Sequence, residues 1–569
     1  MQLSEKHQEY WRKNLRITSI LLGIWFLVTF VLPFFSKELT FKFFGWPFSF
    51  WVAAQGALVV YCLIIWYYAR HMNALDNEYR RSRRGRMMFG NEKQTQNAFK
   101  KGLNKVYGFY TGGFIGFVLL LAALEQMGLS RAWIGYFFLA GTVLLYAGIG
   151  VMSRTSDAAE YYVAGRRVPA MYNGMATGAD WMSAASFIGM AGTLYLTGFG
   201  GLAFITGWTG GYCLVALFLA PYLRKFGQFT IPDFLGARFE GNLPRIIGVF
   251  GAILCSFTYV VAQVYGVGLI TTRLTGLAFE VGIFAGLGGI LVCSFLGGMR
   301  AVTWTQVAQY VILIIAYLLP VIWLSVKHTG VPIPQAVYGY TLEKVTAKEE
   351  VLIKDPKEIE VRNIFSARAD EASAKLKDVP AAMAADKAAA QKKLDDLKAA
   401  NGAVADIKAA EAALAGLPKD EVAAKGAYTA ARVSNAARSA PPLRHATPFP
   451  GKDEAASDVS RKNFLALVFC LMVGTAALPH ILMRYYTTPS VKEARESVSW
   501  SLFFIFLLYF TAPALAVLAK FEVYTVLVGT PFDQLPAWIA LERGGQEPAL
   551  GGGHQQGRHP AVGRDRHRG

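Results

Sequence analysis

The sequence predicts an all-α polytopic membrane protein, and three observations carry that prediction. Only 17% of residues are charged, 54% are hydrophobic, and mean hydropathy is +0.32; ordinary soluble domains carry about 25% charged residues. Eleven apolar runs, uncharged except for Asp180 in the fifth, are each long enough to cross a bilayer as a helix, which takes about 17–25 residues, more when tilted. The runs are continuously apolar rather than alternating, which excludes barrel strands.

The runs occupy 17–35, 43–69, 106–124, 132–153, 169–196, 200–223, 246–272, 281–299, 301–326, 463–483 and 497–519. They divide the chain into a two-helix segment (1–79), a basic linker (80–105), seven spans (106–326), a polar insert (327–462), a last membrane segment (463–541) and a polar tail (542–569).

The net charge is +18, from 57 Lys and Arg against 39 Asp and Glu. In a membrane protein such a surplus gathers in cytoplasmic loops, so no nucleic-acid partner is expected. With the N-terminus inside, the inner loops hold 25 Lys and Arg and the short outer loops hold 4. This orientation places 70–105 in the cytoplasm and 327–462 outside. The stretch Arg80-Arg-Ser-Arg-Arg-Gly-Arg86 is a topology anchor and linker before it is an anionic-lipid patch. The five cysteines all lie within apolar runs without metal-ligand spacing and are read as small core residues.

The insert is rich in Ala, Lys, Asp and Glu between about 367 and 440, with Gly402 and Pro418 dividing it. Ala, Lys and Leu favour helix. The insert is therefore read as a solvated helical hairpin, a spacer whose residues 343–456 are dispensable for membrane insertion.

No P-loop, paired-Cys motif or His-x-x-x-His occurs. The chain is accordingly read as a gradient-driven carrier or a channel rather than an enzyme or an ATP-driven pump, with no cofactor. The fifth run is the most informative. From Asn173 to Gly192 it is dense in Gly, Ala, Ser and Thr around one carboxylate, Asp180. An Asp at mid-membrane costs about 2.5–3.5 kcal/mol on insertion scales and belongs where it meets water or a partner. Small residues let the helix unwind and free carbonyls for a cation, which is tolerated where the break faces a cavity. The tenth run carries a second break, Gly474-Thr-Ala-Ala-Leu-Pro-His480, where Pro479 removes a backbone donor. Two broken helices at comparable places in two halves suggest inverted repeats with the site between them.

Tyr161-Tyr-Val-Ala-Gly-Arg-Arg167 followed by Asp180-Trp-Met-Ser-Ala-Ala-Ser-Phe187 resembles the sodium:solute symporter family. So do Phe226-Gly-Gln-Phe-Thr-Ile-Pro-Asp-Phe234, Gly297-Gly-Met-Arg-Ala-Val-Thr-Trp-Thr-Gln306 and the segment from Gly474 to Thr487. The likeness is strongest to the cation/acetate symporter branch, and residues 1–79 resemble its small two-helix companion subunit. The resemblance implies a leucine-transporter-like inverted-repeat fold, with 169–326 as first repeat and an incomplete second repeat from 463. It also implies sodium held by the backbone carbonyls of Ala179 and Met182. Asp180, Ser183 and Ser186 would line or gate the path, and Gly474, Thr475 and His480 would form the opposing wall. The partners implied are sodium, a small monocarboxylate such as acetate, and the lipid bilayer of the cytoplasmic (inner) membrane.

The family completes its cation site with two hydroxyls on a later helix, and no matching segment follows Lys520. The tail is read as an out-of-frame continuation, and these 569 residues alone are expected not to catalyse sodium-coupled uptake. The alternatives are a transporter-like receptor or an inactive fragment.

Overall fold

Nine helices among the described residues are long and apolar enough to cross a membrane, in a computed structural model that describes residues 5–80, 89–400, 402–531 and 534–536. The sequence reading of eleven spans differs for two physical reasons. The fifth run breaks after Trp181, and its second half runs on through a Gly198 turn, so 184–226 counts as one segment. The eighth and ninth runs meet at a kink at Gly298, and only 294–329 counts as a segment. The tail at 542–569 lies outside the described residues.

The N-terminal unit comprises α1 (Glu5–Phe26), a two-residue hairpin of β1 (Lys42–Phe43) and β2 (Trp46–Pro47), and α2 (Ala57–Arg80). The central helices follow as α3 (Phe89–Gln126), α4 (Arg131–Met152), α5 (Ala170–Trp181), α6 (Met190–Thr197), α7 (Leu202–Leu214), α8 (Asn242–Thr275) and α9 (Phe279–Thr329). Next come α10 (Pro334–Lys354), four insert helices, α15 (Glu454–Ala477), α16 (Pro479–Met483) and α17 (Val491–Val526). The insert helices are α11 (Pro356–Lys375), α12 (Val379–Ala399), α13 (Val404–Ala415) and α14 (Glu421–Ser439).

Helix α9 turns sharply at Gly298, where φ is +50° and ψ is −141°. A side chain there would need a Cβ 2.6 Å from the Tyr161 carbonyl oxygen, so only glycine fits both the left-handed backbone and the space. The bend carries Thr303 and Gln306 toward α5.

Helix α5 lies at the centre of the bundle because its small residues admit neighbours on every side. Gly174 receives the Trp500 backbone of α17, and Gly178 receives the Tyr310 ring and the Phe504 Cβ. Nine of its twelve residues are buried.

Loops assigned to one side of the membrane by charge touch one another. On the basic side Arg495 pairs with Asp76 at 2.7 Å, Lys100 with Glu493 at 3.4 Å, and Arg224 donates to the Thr488 carbonyl at 2.6 Å. On the opposite side Lys37 pairs with Glu454 at 3.0 Å and Lys520 with Glu349 at 2.9 Å. The N-terminal unit is docked onto the rest of the bundle. Trp25 Nε1 donates to the Gly210 carbonyl at 3.0 Å and Gln55 Nε2 to the Gln335 carbonyl at 2.9 Å.

The cysteine reading needs correction. Cys213 is buried, but Cys255 and Cys470 face outward from the protein.

The insert is only partly a spacer. Its first helix, α10, buries Tyr338, Leu342, Val345 and Glu349 on one face and packs on α17. Its closing loop brings His445 and Phe449 into the core, and the His445 carbonyl accepts from Phe199 N at 2.9 Å. The middle, α11–α14, is four helices rather than a hairpin, three of them capped at the N-terminus by Asp355, Asp378 and Asp420. Gly402 and Pro418 fall in two of the breaks, and Asp378 makes a third by capping α12. These helices bury few side chains, mostly alanines.

Replacing 356–439 by a short flexible linker should therefore leave membrane insertion intact and change stability by no more than about 1 kcal/mol, since shortening a solvated loop costs little. Deleting 343–456 should instead release the protein into aggregates, because it removes Glu349 and His445. Size-exclusion profiles of the two detergent-solubilised deletions would separate these outcomes.

Candidate functional site

The break after α5 is set by two residues. Met182 has ψ +56° and Ser183 has ψ 174°, so the helix cannot continue. Met182 N makes the last i→i−4 bond, to Gly178 O at 3.0 Å. Ser183 N then turns to Trp181 O at 2.8 Å instead of Ala179 O, and Ser186 N turns to Ser183 O at 3.1 Å instead of Met182 O. The carbonyls of Ala179 and Met182 are both released from the helix ladder. A backbone break inside a bundle needs other partners for its polar groups. Helix α8 supplies two of them, one turn apart. Tyr259 OH donates to Asp180 O at 3.1 Å, and Ala184 N donates to Gln263 Oε1 at 3.2 Å. From α17, the buried Tyr509 hydroxyl ties the two halves together, meeting Trp181 Nε1 at 2.8 Å and Ser186 Oγ at 2.9 Å. Ser183 caps the second half, its Oγ 3.4 Å from Ser186 N.

Asp180 is not alone. Arg484, which follows α16, donates Nε to Asp180 Oδ2 at 2.7 Å and Nη1 to Thr303 Oγ1 at 2.9 Å. Gln306 closes the ring, its Nε2 on Asp180 Oδ1 and its Oε1 accepting from Arg484 Nη2. Arg484 is 2% exposed and Asp180 15%. Every polar atom of the arginine fork is used, which is the condition for a buried ion pair to be tolerated. Asp180 lies ten residues into α5, roughly 15 Å from its start, near the middle of a hydrocarbon layer about 30 Å thick.

A second tier holds the arginine backbone. Asn173 Nδ2 donates to Arg484 O at 3.1 Å and to Ser497 Oγ at 2.7 Å, and Thr487 Oγ1 donates to Asn173 Oδ1 at 3.0 Å. The site thus ties α5, α9, α17 and the turn after α16 into one network.

The remaining sequence-assigned residues divide. His480 joins the site, its ring 4.8 Å from that of Tyr259. Thr475 is buried against α7, where a Cβ on Gly211 would lie 2.7 Å from its own Cβ. Gly474 has nothing within 4 Å of a built Cβ and is exposed on α15. The wall assigned to Gly474 and Thr475 is therefore corrected: Arg484, Thr303 and Gln306 face Asp180 instead. The second break itself is present, between Ala477 and Pro479, with Leu478 at ψ 113°.

Two family models match the chain. The sodium:solute symporter family matches residues 161–364, and a domain of unknown function (DUF4212) matches residues 7–82. An uncharacterized symporter of Cupriavidus necator is 50% identical over 464 residues, covering 80% of this chain and 68% of that protein. A monocarboxylic acid transporter of Corynebacterium glutamicum is 26% identical over 368 residues, covering 64% of this chain and 50% of that protein. The chain thus spans about two thirds of one relative and half of the other. A solved structure described as the substrate-bound outward-open state of a Na+-coupled sialic acid symporter aligns over 72% of this chain and 83% of its own, with 14% identity and a TM-score of 0.29.

Proposed function

From a chain that belongs to the sodium:solute symporter family, we propose a sodium-coupled symporter of a small monocarboxylate such as acetate, resident in the cytoplasmic membrane with its N-terminus inside. The observation that carries this reading is the broken helix α5, whose released Ala179 and Met182 carbonyls flank an Asp180 locked onto Arg484. The monocarboxylic acid transporter among its relatives supports the substrate class. The two broken helices, α5 and α15–α16, are the corresponding first helices of two inverted repeats.

The coupling follows from charge. Sodium at the two carbonyls takes Asp180 as its counter-ion, and the substrate carboxylate takes the freed Arg484 fork. Either ligand alone would leave one buried charge unpaired, a cost of about 3–5 kcal/mol. Both together leave none. Sodium and substrate therefore raise each other's affinity, by linkage and by equal factors. Parting Asp180 from Arg484 also unties α5 from the turn after α16, the movement that alternating access needs. Ser183, Ser186 and His480 line the path beside the break.

Equilibrium binding of labelled acetate to the purified protein tests the exchange. Sodium at saturation is expected to raise acetate affinity at least tenfold over potassium, and acetate to raise sodium affinity by the same factor. Equal acetate affinity in the two salts would refute the charge exchange.

The orientation has its own test. In a Cys-free background, a single Cys at Lys101 should resist an impermeant thiol reagent added to intact cells, and one at Lys387 should react. Labelling at position 101 from outside would invert the topology.

A further inference from the structure

A groove of about 840 Å³ runs along the seam between the N-terminal unit and the symporter core, between α2 and α17. The two helices are antiparallel, so the groove has two ends of different chemistry. Toward the basic loops it is lined by Arg70, Asn73 and Asn77 of α2 and Lys492 and Glu496 of α17. Toward the membrane interior it is lined by Leu63, Trp66, Trp500 and Phe503. The lining runs from position 62 to 77 on α2, about 22 Å at 1.5 Å per residue. That is half of a bilayer about 40–45 Å thick with its headgroups.

We propose that this groove binds one anionic phospholipid of the leaflet on the side of the basic loops. The headgroup phosphate lies between Arg70 and Lys492, and an acyl chain lies along Trp66, Trp500 and Phe503. Three observations carry the assignment. Arg70 makes no ion pair among the described residues; its guanidinium packs over the Trp66 ring at 5.5 Å, exposed at the groove mouth. Lys492 is exposed beside it, and the one carboxylate in the groove lining, Glu496, is shared between Lys492 at 3.6 Å and Asn73 Nδ2 at 3.3 Å. The polar end therefore keeps a net positive charge. Ser499 Oγ is buried in the wall between the polar and apolar ends with no hydrogen-bond partner. That is the depth of a glycerol ester, whose carbonyl accepts such a bond.

A second groove, between α3, α4 and α9, supplies the contrast. Its Arg167 and Arg300 both pair with Glu160, so neither is left unpaired as Arg70 is.

Native mass spectrometry of the delipidated full chain tests this. At equal concentrations, phosphatidylglycerol adducts should exceed phosphatidylcholine adducts at least fivefold. R70Q/K492Q should reduce that preference to twofold or less, while R12Q/R16Q, which removes the same charge from α1, should leave it unchanged. Free glycerol phosphate, a headgroup without chains, should not compete. Should the double variant lose its fold on gel filtration, Ala74→Trp, which fills the groove without altering charge, should abolish the preference instead. Equal binding of the two lipids, an equal loss in R12Q/R16Q, competition by glycerol phosphate, or a preference that survives Ala74→Trp would each overturn the proposal.

Discussion

In a chain that carries the complete cation site, Asp180→Asn is expected to abolish sodium-dependent uptake, and in this chain it is expected to destabilise the protein by about 3 kcal/mol. The destabilisation arises because the variant leaves the Arg484 guanidinium buried without its carboxylate, and breaking one side of a buried pair typically costs 3–5 kcal/mol. Only 2% of the Arg484 side chain reaches solvent, so water cannot replace the lost partner. Adding Arg484→Gln removes the stranded charge, and the double variant should recover most of the stability. It should recover none of the uptake, since sodium then lacks its counter-ion and the substrate its guanidinium. The thermal transition in detergent and vesicle uptake, measured on the single and double variants, separate the two effects. A double variant that transports normally would reduce the pair to a structural tie. If the Asn variant kept full uptake, the Asp180 carboxylate would have no part in coupling.

The second large effect lies at the opposite end of the molecule. Glu349 is fully enclosed and Lys520 is 7% exposed, 2.9 Å apart. Glu349 Oε2 also accepts from His445 N at 3.0 Å. Lys520→Met should cost about 3 kcal/mol by stranding the carboxylate. Lys520→Met/Glu349→Gln should be close to the parent. Limited proteolysis within 441–453 should become faster in the single variant only. If the single variant were as resistant as the parent, the closing loop would be held by its apolar contacts instead.

The same cluster has a pH dependence. Burial, reinforced by the Lys520 ammonium, pushes the His445 imidazole from 6.5 down to about 3, while burial raises the Glu349 carboxyl against the pull of Lys520. His445 stays neutral when folded and takes up a proton when unfolded below pH 6.5. Its contribution is complete above that pH and is lost as pH falls toward 3. Between pH 6.5 and 5 that loss is about 2 kcal/mol. Raising Glu349 acts in the opposite sense, but only near and above its ordinary range of about 4.5. Cooling of the thermal transition from pH 7 to 5 should therefore be flattened by His445→Gln. An equal drop in that variant would assign the dependence to other groups.

Much of this was legible in the residues. The break in α5 follows from a run of small residues around one carboxylate, and that in α15–α16 from Pro479. Asp180 announced a partner, because an intramembrane carboxylate needs one. Arg484 did not announce itself as that partner. Lying at the edge of an apolar run, it reads as one more positive charge in an inner loop, and only the short half-helix α16 brings it back to mid-membrane. Thr303 and Gln306 stood in a quoted motif, but their aim depends on the bend at Gly298. Tyr259 and Gln263 left a weak signal, two polar residues at i and i+4 in an apolar helix. The docking face of α10 was also written in the sequence: Tyr338, Leu342, Val345, Glu349 and Leu352 recur at helical spacing. The Ala- and Lys-rich composition of the neighbouring helices obscured it. His445 and Phe449 sit in an irregular loop whose sequence carries no periodicity, so their burial could be learned only from the folded chain.

The central claim is that uptake of a small monocarboxylate is driven by sodium through Asp180. Uptake of radiolabelled acetate by a chain that carries the complete cation site, reconstituted in proteoliposomes, tests it most directly, under an inward sodium gradient, an inward potassium gradient and a pH gradient without sodium. Accumulation above equilibrium is expected with the sodium gradient alone, and its loss with Asp180→Asn. Accumulation of equal size under potassium or under the pH gradient would contradict it.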